Sequence, residues 1–224
     1  MSRVPVLALD TSGEIAVSLV ARGVVLAARR VTEDRRHAEL LGPMVTDVLA
    51  EAGVRPAELS AVVVGTGPAP FTGLRAGLVT ARVLGFALGI EVHGVCSLDA
   101  LAAQAYQAGA EGEVLVVTDA RRREVYAARY RRRAPDVELL AGPVVELPAA
   151  AAESVDGAVV VGPGAALYPD LLPPAPGAPL AVDPAVLAAL ALARAARGVP
   201  LPTEPLYLRR PDVTPSLAAK RVAG

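Results

Sequence analysis

Residues 4–31 read VPVLALDTSGEIAVSLVARGVVLAARRV, and this stretch decides the fold. The apolar run 6–9 is closed by Asp10-Thr11-Ser12-Gly13, a polar turn signal. Residues 15–20 form a second apolar run, and Arg22-Gly23 marks a hairpin turn into a third over 24–31. Three strands joined by tight links imply an antiparallel meander.

Beyond the meander the apolar period lengthens to about 3.6 residues. His37, Leu40, Leu41, Met44, Val45 and Val48 then share one face of a helix that Gly53 ends. Residues 61–64 form a buried strand running into Gly65-Thr66-Gly67-Pro68, and a second helix extends from about Thr72 to Leu88. A strand over 92–95 and a helix from Ser97 through Gln107 complete the order βββαβαβα. That order is the one of a ribonuclease H-like α/β lobe.

The second half starts alike. A strand over 114–118, the turn Asp119-Ala120-Arg121 and a hairpin partner over 124–130 precede a strand at 159–161. Gly162-Pro163-Gly164 follows that strand, 173–184 reads as a Pro/Ala-rich loop, and Pro184 opens a last helix to about Arg197. The expected architecture is two related α/β lobes, residues 1–108 and a reduced 109–224 with an extended tail.

The chain has 224 residues, 53% of them hydrophobic and 20% charged, so disorder is excluded. Aromatics make up only 3%, which leaves Ala, Val and Leu to build the core. Lys+Arg 22 against Asp+Glu 23 gives a net charge of −1, and so no global field draws the chain onto nucleic acid. One cysteine, Cys96, excludes an internal disulfide. The chain shows no signal-peptide pattern, and Arg82 interrupts its most apolar stretch, so a soluble cytoplasmic protein without a membrane partner is expected.

The candidate chemistry is sparse. Asp10, Thr11 and Ser12 form either a phosphate-wrapping loop or a plain polar turn. His37 and His93 are the only histidines and lack metal-ligand spacing, so no metal site is expected. No nucleophile with its base is readable, which predicts an absence of catalytic residues. Arg121-Arg122-Arg123 and Arg131-Arg132-Arg133 flank one strand; they read as a guarded edge or as an RNA contact. Gly73, Gly77, Ala81, Gly85 and Gly89 recur every four residues along the second helix. Such a ridge admits a close backbone, either that of its own sheet or that of a partner helix. Taken with the apolar face of the first helix, it favours a two-helix partner surface. The residues assigned to that surface are His37, Leu40, Leu41, Met44, Val45, Val48, Phe71, Arg75, Gly77, Leu78 and Arg82.

Three segments carry a family resemblance: 7–12 (LALDTS), 37–41 (HAELL), and Gly65-Thr66-Gly67-Pro68 through Phe71-Thr72-Gly73-Leu74-Arg75. With Asp119-Ala120-Arg121, Glu124-Val125-Tyr126, Gly162-Pro163-Gly164-Ala165 and Tyr207-Leu208-Arg209 they resemble the TsaB family, also called YeaZ. The resemblance implies an actin-like (ASKHA) two-lobed fold and a place in tRNA threonylcarbamoyladenosine synthesis. It further implies a non-catalytic scaffold that pairs with a catalytic paralogue, TsaD, is joined by a small ATPase, TsaE, and can pair with itself through the same face. Contact with tRNA would come through the complex. Where the catalytic paralogue carries a His-x-x-x-His metal motif, this chain has Val95-Cys96-Ser97-Leu98-Asp99-Ala100. Gly162 and Gly164 match the adenosine-holding glycine motif only in part. The expectation is thus a vestigial nucleotide loop at Asp10, Thr11, Ser12, Gly162 and Gly164, with no tightly bound cofactor and ATP or ADP belonging to the complex. Two other readings compete: a stand-alone actin-like ATPase or kinase, with Asp10 orienting its metal, and a direct tRNA-binding module.

Overall fold

A computed structural model describes residues 4–32 and 37–209. The meander forms as expected: β1 (Val6–Asp10), β2 (Ile15–Ala21) and β3 (Val24–Val31) pair antiparallel, with Leu9 opposite Val17. Helix α1 (His37–Glu51) follows, then β4 (Ala61–Gly65), α2 (Phe71–Leu88), β5 (Glu91–Val95) and α3 (Ser97–Gln107). β4 lies parallel to β1, and β5 lies parallel to β4. The sheet order is β3-β2-β1-β4-β5.

The second sheet repeats this plan with one strand fewer. β6 (Glu113–Asp119), β7 (Val125–Arg133), β8 (Asp136–Glu146) and β9 (Val159–Val161) run in the order β8-β7-β6-β9, with β9 parallel to β6. Three helices complete it: α4 (Pro148–Glu153), α5 (Pro163–Leu167) and α6 (Pro184–Ala195). Strand β8 and the two short helices escaped the sequence reading. β8 carries Asp136, Glu138 and a Gly142-Pro143 irregularity on a half-exposed edge, so no apolar alternation marks it.

The molecule is layered. Leu7, Leu9, Val17, Val62 and Val64 bury the outer face of the first sheet under α1 and α2. Between the sheets lie α3 and α6, packed among Ala8, Val63, Val116, Tyr130 and Val161. Outside the second sheet, Leu115, Val117 and Val160 meet α4 and α5. The last helix of each sheet thus packs against the opposite sheet as well, so one shared core holds both together. Beyond α6 the chain runs extended beside β5: the Gly94 amide donates to Leu201 O at 3.0 Å, and the Leu206 amide to Thr66 O at 2.9 Å.

Candidate partner face and interlobe cleft

The two helices predicted to meet a partner turn those residues inward. Leu41, Met44, Val45 and Val48 lie in the core under the first sheet, and Leu40 is half-buried against it. The side chain of His37 lies outside the described residues. Leu78 is likewise buried, with Leu74 and Ala81 beside it on the inner face of α2. The small-residue ridge is explained on the same face. A Cβ on Gly77 would come 2.3 Å from Thr11 Oγ1, and one on Gly85 would come 2.2 Å from Val92 Cγ2. Gly77 and Gly85 make room for side chains of the β1 turn and β5 of the same chain, not for a partner helix, which corrects the partner reading of Gly77.

The outer face of α2 shows the opposite. Val79 and Val83 are each 59% exposed and Phe86 is 92% exposed, an apolar row at helical spacing on one side. Gly42, Pro43 and Thr46 of the neighbouring α1 are also exposed. Sequence reasoning passed over this row because α2 is apolar on nearly every side. The glycine stripe held the signal: it marks the sheet side, so the free face lies opposite.

One flank of α2 is occupied by the tail. The Phe71 and Tyr207 rings stack with centroids 4.4 Å apart, and the Arg75 guanidinium sits 5.3 and 5.6 Å from the two centroids. Arg75 Nε donates to Tyr207 Oη at 2.8 Å, and Arg82 Nε donates to Thr203 Oγ1 at 2.9 Å. Phe71, Arg75 and Arg82, all assigned to a partner, are therefore bound to residues 203–207 of the same chain. α2 also has the length and composition to cross a membrane, yet its inner face packs on a sheet and its flank on this tail.

The Asp10 turn is closed on itself. Asp10 Oδ1 accepts from the Ser12 amide at 2.8 Å and the Ser12 hydroxyl at 2.6 Å, while Oδ2 accepts from Ser97 Oγ at 2.6 Å. A Cβ on Gly65 would stand 1.8 Å from that Oδ2, so glycine is required there. Burial raises the Asp10 carboxyl above its ordinary value, with the serine bonds opposing the rise. Thr11 is buried against Gly77. Gly162, at φ +100°, and Gly164 are equally committed: Cβ atoms there would lie 2.3 Å from Val117 O and 2.8 Å from Thr118 C. Their lack of side chains serves close contact with the backbone of β6.

These turns border a cleft of about 400 Å³ between the sheets, lined by Ser12, Glu14, Thr118, Asp119, Arg121 and several leucines and prolines. The nucleotide implied by an actin-like fold fits it poorly. Asp10 is capped by two serines, Glu14 and Asp119 present carboxylates, and both glycines are spent on packing. At the cleft edge, Arg121, Arg122 and Arg123 hold φ of +61°, +55° and +62°, a left-handed turn fixed by the Arg121 amide on Asp119 Oδ1 at 2.7 Å. The second arginine triplet lies at the far end of β7, where Arg131 pairs with Glu113 at 2.9 Å. β7 thus separates the two triplets, and the structure does not bring them together into one patch. Among the described residues, no three His, Cys, Asp or Glu side chains converge on a metal site.

A family model described as TsaD, tRNA N6-adenosine threonylcarbamoyltransferase, matches residues 28–161, more than half of the chain. YeaZ from Pseudomonas aeruginosa superimposes with a TM-score of 0.79 at 35% identity, over 93% of this chain and 100% of that one. The chain belongs to the TsaB (YeaZ) family. An uncharacterized protein of Mycobacterium tuberculosis is 46% identical over 221 residues, covering 96% of this chain and 98% of the relative. Escherichia coli TsaB, a tRNA threonylcarbamoyladenosine biosynthesis protein, is 38% identical over 130 residues, 57% of this chain and 55% of that protein. Matches to named TsaB proteins therefore span about half of their length. Family membership also assigns the actin-like fold, in agreement with the paired sheet orders β3-β2-β1-β4 and β8-β7-β6-β9.

Proposed function

We propose that this chain is an accessory subunit in tRNA threonylcarbamoyladenosine biosynthesis, a scaffold that pairs with a TsaD-like catalytic paralogue in the cytoplasm. TsaB relatives named for that pathway support the process. The observation that carries the scaffold role is the exposed Val79, Val83 and Phe86 row on α2. A phenylalanine left 92% exposed on a rigid helix, beside two half-exposed valines, is an apolar surface suited to a protein partner. Aromatic side chains at the centre of such a face carry much of an interface's energy.

Within this reading a TsaE-like ATPase joins the pair, nucleotide belongs to the assembled complex, and a second copy of the chain competes for the same α2 face. The test is co-purification with the catalytic paralogue, then a threonylcarbamoylation assay on tRNA with and without this chain. Modification that depends on the chain supports the proposal. Full activity of the paralogue alone, or tight Mg-ATP turnover by this chain alone, refutes it and favours the stand-alone ATPase.

A further inference from the structure

Three of the segments that carry the family resemblance are far apart in sequence, and the structure brings them to one place. Tyr207 stacks on Phe71 at the start of α2 and accepts from Arg75 Nε at 2.8 Å. Two residues on, Arg209 Nη1 donates to Ala120 O at 3.3 Å, and the same guanidinium pairs with Glu124. The tail thereby fastens the first turn of α2 to the β6–β7 turn of the second sheet. Pro68 and Pro70 before α2, and Asp119 and Arg121 of that turn, line the same interlobe cleft.

The rim assembled in this way is basic and aromatic. It holds the guanidinium groups of Arg75, Arg121, Arg122, Arg123 and Arg209 beside the carboxylates of Asp119 and Glu124. Each carboxylate is matched by one arginine: Arg121 Nη1 lies 3.4 Å from Asp119 Oδ2, and Arg209 pairs with Glu124. Positive charge is therefore in excess on this rim, although the chain as a whole carries −1. Arg75 and the three turn arginines are exposed, and so is the Tyr207 ring, at 39%. Arg121, Arg122 and Arg123 also share a left-handed backbone that residues other than glycine avoid. Asp119 on the Arg121 amide and Arg209 on Ala120 O hold the turn in that shape. A turn set in advance presents its arginines without the cost of ordering them on binding.

We propose that this rim is an RNA-binding surface, on which the turn arginines meet the phosphodiester backbone and an unpaired base stacks on Tyr207. Guanidinium groups beside an open aromatic ring match looped and single-stranded RNA in both charge and stacking. An acidic peptide would match the charge alone. The proposal rests on the reading of this chain as part of tRNA threonylcarbamoyladenosine biosynthesis, and it adds a direct contact of this subunit with the RNA. The Val79, Val83 and Phe86 row is left to the protein partner.

The probe is fluorescein-labelled unmodified tRNA, titrated by anisotropy with the full chain alone and with its pair with the catalytic paralogue. Pairing is measured by calorimetry on the same samples. Arg122→Gln with Arg123→Gln should weaken tRNA binding about ten-fold and flatten the slope of log affinity against log salt by about one to two. Tyr207→Ala should weaken it about five-fold or more at unchanged salt slope, whereas Tyr207→Phe, which keeps the ring, should bind like the parent. Arg132→Gln with Arg133→Gln removes as much charge from the far end of β7 and should change neither quantity. Four results would overturn the proposal: no saturable tRNA binding, parent-like binding by both rim variants, equal losses from the two arginine pairs, or displacement of tRNA by poly-glutamate at equal charge. Any of these with pairing and chain-dependent modification intact refutes the rim and leaves the scaffold reading standing. Absence of pairing by the parent chain refutes the scaffold reading, and titration of the chain alone then decides the rim.

Discussion

Ser97 Oγ donates to Asp10 Oδ2 at 2.6 Å, tying the first residue of α3 to the end of β1 across 87 positions of sequence. The same hydroxyl accepts from the Gly67 amide at 3.3 Å, so one serine joins β1, the loop after β4 and the start of α3. A carboxylate that held a hard cation would need an oxygen free to ligate it. Here it is buried and fully bonded to its own chain.

That arrangement predicts how Asp10 variants behave. Burial raises the folded-state carboxyl, so the folded protein holds the proton more tightly than the unfolded chain. The stability this group contributes is therefore complete below the ordinary carboxylate value and declines as pH rises through the raised one. Asp10→Asn should equal or exceed the parent in stability near pH 7 and flatten the pH dependence of melting. Asp10→Ala strands the Ser12 and Ser97 donors and should cost about 1–3 kcal/mol. Thermal melts of the three proteins between about pH 4 and pH 7 decide it; an Asn variant markedly less stable than the parent at neutral pH contradicts the account.

Gly77 and Thr11 give a second test, since a Cβ on Gly77 would lie 2.3 Å from Thr11 Oγ1. Gly77→Ala should destabilise folding by about 1–3 kcal/mol through overpacking. Thr11→Ala removes the obstructing atoms and also a buried hydroxyl that lacks a hydrogen-bond partner among the described residues. The double variant should recover most of the loss, giving a coupling energy of about 1 kcal/mol or more in chemical denaturation. Additive effects would show that Gly77 is not held by Thr11.

The legibility of the fold and the illegibility of the site share a cause. Strands β1 to β5 and helices α1 to α3 announce themselves by clean changes of apolar period and by turn residues such as Arg22-Gly23. Periodicity reports that a face is apolar, however, and not what covers it. Leu41 and Val48 have the pattern of partner residues, but β2 and β3 lie beneath them. Phe71, Arg75 and Arg82 have the composition of an interface, but more than 120 positions separate them from Tyr207 and Thr203, and no local pattern announces that contact. Gly162 and Gly164 look like a nucleotide motif because any close backbone approach selects glycine.

Arg194 yields a third prediction. It donates to Asp99 Oδ2 at 2.8 Å and to Asp136 Oδ1 at 2.7 Å, joining α6 to α3 and to β8. Burial alone would raise the Asp136 carboxyl, but Arg194, the Val137 amide and Arg197 together hold it below its usual value. Its stabilisation is thus present above the unfolded carboxylate value and lost as pH falls through the lower folded one. Arg194→Met leaves two acids without this partner and should cost about 3–5 kcal/mol. Arg194→Met with Asp136→Asn should recover part of that and shift the acid-unfolding midpoint less steeply. Denaturant titrations at several pH values measure both effects.

The outer face of α2 supplies the last prediction. Phe86, Val83 and Val79 touch solvent, so their replacement should leave folding intact, unlike replacement of Leu41 or Met44, which lie in the core. Burying one phenylalanine is worth about 1.5–3 kcal/mol, equivalent to roughly a ten- to hundred-fold change in affinity. Phe86→Ala should weaken pairing with the catalytic paralogue by that amount, and Val83→Glu should weaken it further by placing a charge in the contact. Leu41→Glu should instead lower the melting temperature of the isolated chain, because a charge enters the core between α1 and its sheet. Affinities come from calorimetry and folding from circular dichroism on the same samples. Unchanged affinity for both α2 variants would remove this face from the interface. A Leu41→Glu chain that melts like the parent would show that α1 is held less tightly than its burial indicates.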